Sequence, residues 1–168
     1  ILASFWAIFG RINIEFHYLL LTLNLLIFLK FKDDIFSIYT TFINELKSLS
    51  QNLKYYLAII TFCIIAQCSS IPYVIDNESY YIQTIKWLNE YGFVKGLVNL
   101  HFFFGQMSGW HITQSVFNFS FLYKNFNDLS GYCLLIGNIF AIQKLNNYYK
   151  TENKNLLIIG LFPLFNLF

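Results

Sequence analysis

Charge is scarce in this sequence. Only 20 of its 168 residues are Asp, Glu, Lys or Arg, against 57% hydrophobic and 21% aromatic. Average soluble domains carry about twice that charged share. Intrinsic disorder is excluded, because disordered segments lack the aliphatics and aromatics abundant here. Cysteine is scarce too. Cys63, Cys68 and Cys133 lie in or beside apolar segments and show no metal-ligand spacing, which excludes a disulfide scaffold. No Gly-rich phosphate loop, H-E-x-x-H or G-x-S-x-G occurs. The net charge of +2 is small and the basic residues form no stripe, which argues against nucleic acid as a partner. No secretory signal is visible, since the apolar Ile1–Phe9 has neither a basic flank before it nor a cleavage site after it. The sequence opens on Ile1 and stops at Phe168 inside an apolar run, and reads as a piece of a longer membrane protein.

Long apolar runs are what is present instead. Ile1–Phe9 reads as the tail of a membrane segment, and Phe16–Phe31 as a second segment closed by Lys30 and Lys32. Asp33–Lys54 mixes charges with apolar pairs, the pattern of a loop carrying an amphipathic surface helix. Tyr55–Ile71 is the clearest predicted span, ended by Pro72, which disfavours helix at the residue before it. Ser130–Ile142 is a further apolar segment, Gln143–Asn155 a lysine-bearing loop, and Leu156–Phe168 a truncated span. The expected fold is therefore all-α: a polytopic transmembrane helical bundle with an external loop carrying a juxtamembrane amphipathic helix, residues 1–54 being upstream membrane segments and a cytoplasmic loop, and 55–168 the truncated N-terminal part of a membrane domain. Cytoplasmic loops are enriched in Lys and Arg. The four lysines between Lys30 and Lys54 place that loop inside, so Tyr55–Ile71 runs outward and the acidic loop after it faces the exterior. Keeping Lys144–Lys154 inside as well requires Met107–Tyr123, with its Ser, His, Gln and Asn residues, to be an interfacial or re-entrant helix. The localisation that follows is a membrane, crossed several times, with the acidic loop outside.

Chemistry is concentrated in the external loop. Asp76 and Glu78 sit just beyond the predicted span, at the start of an amphipathic helix over Asn77–Tyr91. In that helix Tyr81, Ile85 and Leu88 repeat on one face, Gln83, Lys86, Asn89 and Glu90 fall largely on others, and Gly92 is the stop. A carboxylate at a lipid–water boundary is partly desolvated, which makes it a better base. It can also hold a divalent cation, which prefers oxygen ligands. The competing assignment is a helix N-cap at Asp76, with Glu78 complementing the helix dipole. Lys86 and Lys95 read either as phosphate contacts or as snorkelling side chains. His101, before Phe102-Phe103-Phe104, reads either as a phosphate or proton-handling group or as a headgroup-level anchor. Trp87 and Trp110 fit an aromatic belt. Asn24 and Asn138 fit interhelical hydrogen bonding, and His17 and His111 have no evident partner in the sequence. Asn77-Glu-Ser79 and Asn118-Phe-Ser120 match the short glycosylation pattern.

An outward span, an acidic residue, a nearby Tyr, a surface helix and a later aromatic segment together resemble the layout of C-type glycosyltransferases. Asp76-Asn-Glu-Ser-Tyr80 is similar to the acidic-x-x-x-Tyr start of their first external loop. More narrowly, Asp76, Tyr80, Gln83, Asn99, His101, Gly105 and Trp110 resemble the pattern of a group of multi-pass bacterial proteins associated with surface-polysaccharide synthesis. Tyr81 stands where that pattern has a histidine, and Phe103 near its basic residue. The resemblance implies a polyprenyl-phosphate-linked sugar as donor and an envelope glycan or lipid as acceptor. It implies Asp76 as general base, Glu78 as its substitute or a metal ligand, and Lys86 and His101 near the leaving phosphate. Tyr80, Gln83, Asn99 and Trp110 would complete the substrate-binding set. A flippase of lipid-linked glycans and a non-catalytic assembly subunit are the competing roles.

Overall fold

The computed structural model describes residues 1–69, 80–122 and 129–161. Among the described residues it has helices and no strands, with α1 Leu2–Phe9, α2 Ile14–Lys47, α3 Gln51–Cys68, α4 Ile82–Glu90, α5 Gly109–Phe117, α6 Leu129–Thr151 and α7 Lys154–Gly160. Two short 3-10 turns, Leu97–Asn99 and Phe102–Gln106, separate α4 from α5. The chain forms two compact units, each drawn from two stretches: residues 1–30 with 71–129, and 31–70 with 130–168.

Among the described residues, one helix, α2, is long and apolar enough to cross a membrane. Its backbone is non-helical at Phe31, with φ −121° and ψ 27°. That break falls where the apolar run gives way to Lys30-Phe-Lys-Asp-Asp34. At 1.5 Å per residue, Ile14–Phe31 rises about 27 Å, close to the roughly 30 Å hydrocarbon core of a bilayer. Leu21, Leu25, Leu26, Ile27 and Leu29 are all exposed along it. A run of large apolar side chains facing outward asks for lipid or protein cover. Beyond that break the chain is helical again through Lys47, where the sequence suggested a loop carrying an amphipathic surface helix. Tyr55–Ile71, expected as the clearest span, falls mostly within α3, whose polar Gln51, Asn52, Lys54 and Gln67 dilute its apolar stretch. The expected Gln143–Asn155 loop is helical through Thr151, because α6 continues past Ile142. There Lys144 lies over the Phe140 ring at 4.8 Å, as i,i+4 neighbours on a helix can. Over Met107–Tyr123 the described helix, α5, has nine residues, too short to cross as one helix.

In the first unit, Ala7, Ile12, Phe16, Leu88 and Ile112 form a buried core, joined by Trp6, Leu19 and Met107. One glycine lets backbones meet there. Gly92 has φ +76°, and a Cβ on it would sit 2.4 Å from the Gly10 carbonyl oxygen. Beside it, Phe93 N–H donates to Ala7 O at 2.7 Å and Ile12 N–H to Leu88 O at 2.9 Å. In the second unit, Leu49, Leu53, Ile60 and Ile142 form the core, with Tyr56, Leu57 and Leu145 against it. Ser50 N–H donates to the Asn146 side-chain oxygen at 3.2 Å. A Cβ on Gly131 would meet Cys68 Sγ at 2.1 Å, and one on Gly160 would meet Leu145 Cβ at 2.7 Å, so both helices pack through a missing side chain. The cysteines form no disulfides.

Candidate functional site

The amphipathic pattern of α4 is realised as the sequence predicts. Ile85 and Leu88 are fully buried, Tyr81 is half-buried, and Gln83, Lys86 and Glu90 face solvent. Asn89 departs from it. It is 2% exposed and forms the polar centre of the unit. Its amide donates to Ile12 O and Ser115 O, both at 2.8 Å. Its side-chain oxygen accepts from Asn118 Nδ2 at 2.9 Å, and Asn13 Nδ2 donates to its backbone carbonyl at 3.0 Å. One side chain thus ties the α1–α2 connection to α4 and α5. Asn118, buried in this network, is no free glycan acceptor, contrary to what its Asn-x-Ser pattern offered.

At the start of α4 the chain gathers rings. Tyr80 stacks on Phe103 with centroids 5.1 Å apart and planes 26° from parallel. His101 lies 5.3 Å from the same Phe103 ring and 5.7 Å from Phe104. Gly96, with φ +83°, opens the 3-10 turn that delivers this segment. Two of the sequence-predicted substrate residues, Tyr80 and His101, therefore share one aromatic cluster. Phe103, which departs from the basic residue of the resembled pattern, is the ring between them. Gln83, Lys86 and Asn99 are exposed and Trp110 is 39% exposed; among the described residues, no ring contact or hydrogen bond joins them to the cluster. Asp76 and Glu78 lie outside the described residues, as do Pro72 and the Asn77-Glu-Ser79 pattern. Among the described residues, no three His, Cys, Asp or Glu side chains are grouped to hold a metal ion.

Both histidines without an evident sequence partner acquire one. His17 Nδ1 is 2.8 Å from Asn13 O and its Nε2 2.8 Å from Val116 O. It lines an open, largely apolar cavity of about 910 Å³, with Phe16, Leu20, Asn24, Phe119 and Phe121. Asn24 is exposed on that wall, and Asn138 turns back to Leu134 O of its own helix at 2.8 Å. The Asn138 bond replaces the interhelical one anticipated for it. His111 is 8% exposed and lies 4.9 Å from the Tyr81 ring. Its Nδ1 accepts from Ser108 N–H at 3.0 Å and sits 2.8 Å from Ser108 Oγ, the reciprocal arrangement of a capping box. Burial holds the His111 imidazole below its ordinary pKa. The Ser108-x-x-His111 spacing was the available sequence signal, being that of a cap with its third helical residue. Asn89 left no such signal, because its acceptors are backbone carbonyls far away in sequence.

No curated protein and no solved structure matches the chain. Residues 1–168 match one family throughout, and the chain belongs to it: the domain of unknown function DUF8201.

Proposed function

We propose that the chain is part of a multi-pass membrane enzyme of the bacterial inner membrane, of glycosyltransferase type. It would transfer a sugar from a polyprenyl-phosphate donor to an envelope glycan or lipid acceptor. The observation that carries this reading is the Tyr80–Phe103–His101 cluster. Ring faces carry the negative side of the aromatic quadrupole, and the weakly positive C–H face of a sugar ring packs on them. His101 adds a hydrogen-bonding edge to the platform. In sequence, Asp76 lies four positions before Tyr80. In the proposed reaction Asp76 removes the proton from an acceptor hydroxyl, whose oxygen attacks the anomeric carbon. The bond to the lipid phosphate breaks with inversion, and the phosphate leaves with the electron pair. Glu78 is the substitute base or a ligand for a divalent cation. The exposed apolar face of α2 supports a membrane setting for this chemistry.

The test is Asp76→Asn in the complete protein, with membrane accumulation followed beside surface glycan. Loss of glycan at normal accumulation supports the base. Normal glycan removes Asp76 from that role, and triple replacement of Asp76, Glu78 and His101 without effect favours an assembly subunit. The open cavity beside α2 gives a transport reading some support, because a flippase must house part of a lipid. Accessibility of a cysteine at position 76 separates the two: midplane depth favours transport, and the exterior boundary favours the enzyme.

A further inference from the structure

The end of α2 and the start of α3 enclose an open groove of about 410 Å³ with two cations on its walls. Ile43, Leu46 and Lys47 form the α2 wall, at the i, i+3 and i+4 positions of one helix face. Lys54, Leu57 and Ala58 repeat that spacing on the α3 wall, and Leu49, buried in the connection, lines the groove between them. The lining is ordered along its length. Lys47 ends α2 and Lys54 falls in the first turn of α3, so both charges stand beside the connection. Ile43 and Ala58 each lie one helical turn further from it. No Asp or Glu lines the groove, and among the described residues neither lysine has an ion-pair or hydrogen-bond partner. Glu45, two positions before Lys47, falls on another side of α2. A cation at a helix C-terminus answers the dipole, which accounts for Lys47. Lys54 has the opposite placement, a positive charge at the positive end of α3. Two like charges on one groove, one of them opposed by a helix dipole, are an arrangement that an anion relieves.

We propose that this groove binds an anionic phospholipid, its phosphate between Lys47 and Lys54 and an acyl chain along Ile43, Leu46, Leu57 and Ala58. Basic pockets between membrane helices hold anionic headgroups in this way. Lysine suits the role, because its ammonium is a compact charge on a long stem that can follow a phosphate oxygen. The apolar part of the walls selects the lipid over a free anion. Ile43 and Ala58 are exposed, and a small soluble anion held by the lysines would leave them in water. An acyl chain covers them, and each methylene it buries adds affinity. The helix that supplies one wall, α2, also carries the run long and apolar enough to cross a membrane, where such a lipid is met. The site does not depend on sugar transfer and would stand if Asp76 proved inert.

The experiment uses the full chain in maltoside micelles with 13C-methyl-labelled isoleucine and leucine. It is titrated separately with short-chain phosphatidylglycerol, phosphatidylcholine of the same chain length, and inorganic phosphate. The expected result is a saturable shift of Ile43, Leu46 and Leu57 with phosphatidylglycerol, at an affinity at least tenfold above that for the other two. Leu25 and Leu26, exposed on α2 outside the groove, should respond alike to both lipids. Lys47→Gln and Lys54→Gln should each weaken binding about fivefold, and the double variant about twenty-fivefold, the worth of lysines facing anionic lipid. Lys150→Gln, which removes an exposed lysine of α6 that does not line the groove, should leave the affinity unchanged. Should the double variant fail to fold, the single variants decide. Equal affinity for phosphatidylcholine would remove the charge recognition, and equal affinity for inorganic phosphate would give the groove to a free anion; either overturns the proposal. Shifts that follow protein concentration without lipid would give it to a second copy, and overturn it too. So would the absence of a saturable shift, unchanged affinity in the folded variants, or an equal loss in Lys150→Gln.

Discussion

Removing the Asn89 side chain should cost the first unit more than any other single truncation of a polar residue there. Asn89→Ala takes a hydrogen-bond partner from the carbonyls of Ile12 and Ser115 and from the Asn118 amide. A buried group left without its partner costs about 1–3 kcal/mol. Three such groups, discounted for partial relaxation and entry of water, give about 3–5 kcal/mol. Against a typical total stability of about 5–15 kcal/mol, that is a large fraction. For a chain of this length it corresponds to a fall in Tm of about 10 °C or more. Thermal unfolding in mild detergent, followed by circular dichroism, measures it. Asn118→Ala removes one of the same bonds and should cost only about 1 kcal/mol, and the double variant should cost less than the sum. Asn89→Asp adds a pH test. A carboxylate facing two carbonyl oxygens has nothing to donate, so its folded-state pKa is raised. Its stability is retained below the ordinary carboxyl value near 4 and is lost as pH rises through the folded value. Asn89→Asp should therefore be weakest at neutral pH. An Asn89→Ala protein within about 0.5 kcal/mol of wild type, the ordinary range for surface changes, would refute the account of this network.

Gly92→Ala forces a Cβ to within 2.4 Å of the Gly10 oxygen at a positive φ, and should lower stability by several kcal/mol, on the order of a core cavity, in the same melt. Gly160→Ala places a Cβ 2.7 Å from Leu145 Cβ and should cost about 1–3 kcal/mol by overpacking; an unchanged Tm would mean that α7 does not pack there. Leu25→Lys with Leu26→Lys should reduce membrane insertion of Ile14–Lys47 in a translocation assay by roughly 3 kcal/mol per lysine, and unaltered insertion would remove α2 as a span. His111 is held below its ordinary pKa of 6.5, so the unfolded chain binds its proton first on acidification. Stability should therefore drop as pH falls below about 6.5 and towards the folded value, and His111→Phe should flatten that drop.

What the sequence made legible was local. The period of Tyr81, Ile85 and Leu88, and the stop at Gly92, placed the α4 face and its end correctly, because both depend on near neighbours. The apolar run before Lys30 likewise marked the helix that can cross a membrane, and the mixed charges after it marked further helix beyond the break at Phe31. What stayed hidden was non-local. Asn89 looked like a solvent-facing residue because its partners lie 77 and 26 positions away, and a buried amide reads the same in sequence as an exposed one. The same distance hid His17, whose second carbonyl is 99 positions on. Tyr80 and His101 were singled out by resemblance, yet no periodicity could show that Phe103 would join them. The polar side chains thus sort by reach. Those answered within a helical turn, such as Asn138, bond back to a carbonyl of their own helix. Those answered across the chain, such as Asn89 and His17, fix how the helices of the first unit meet.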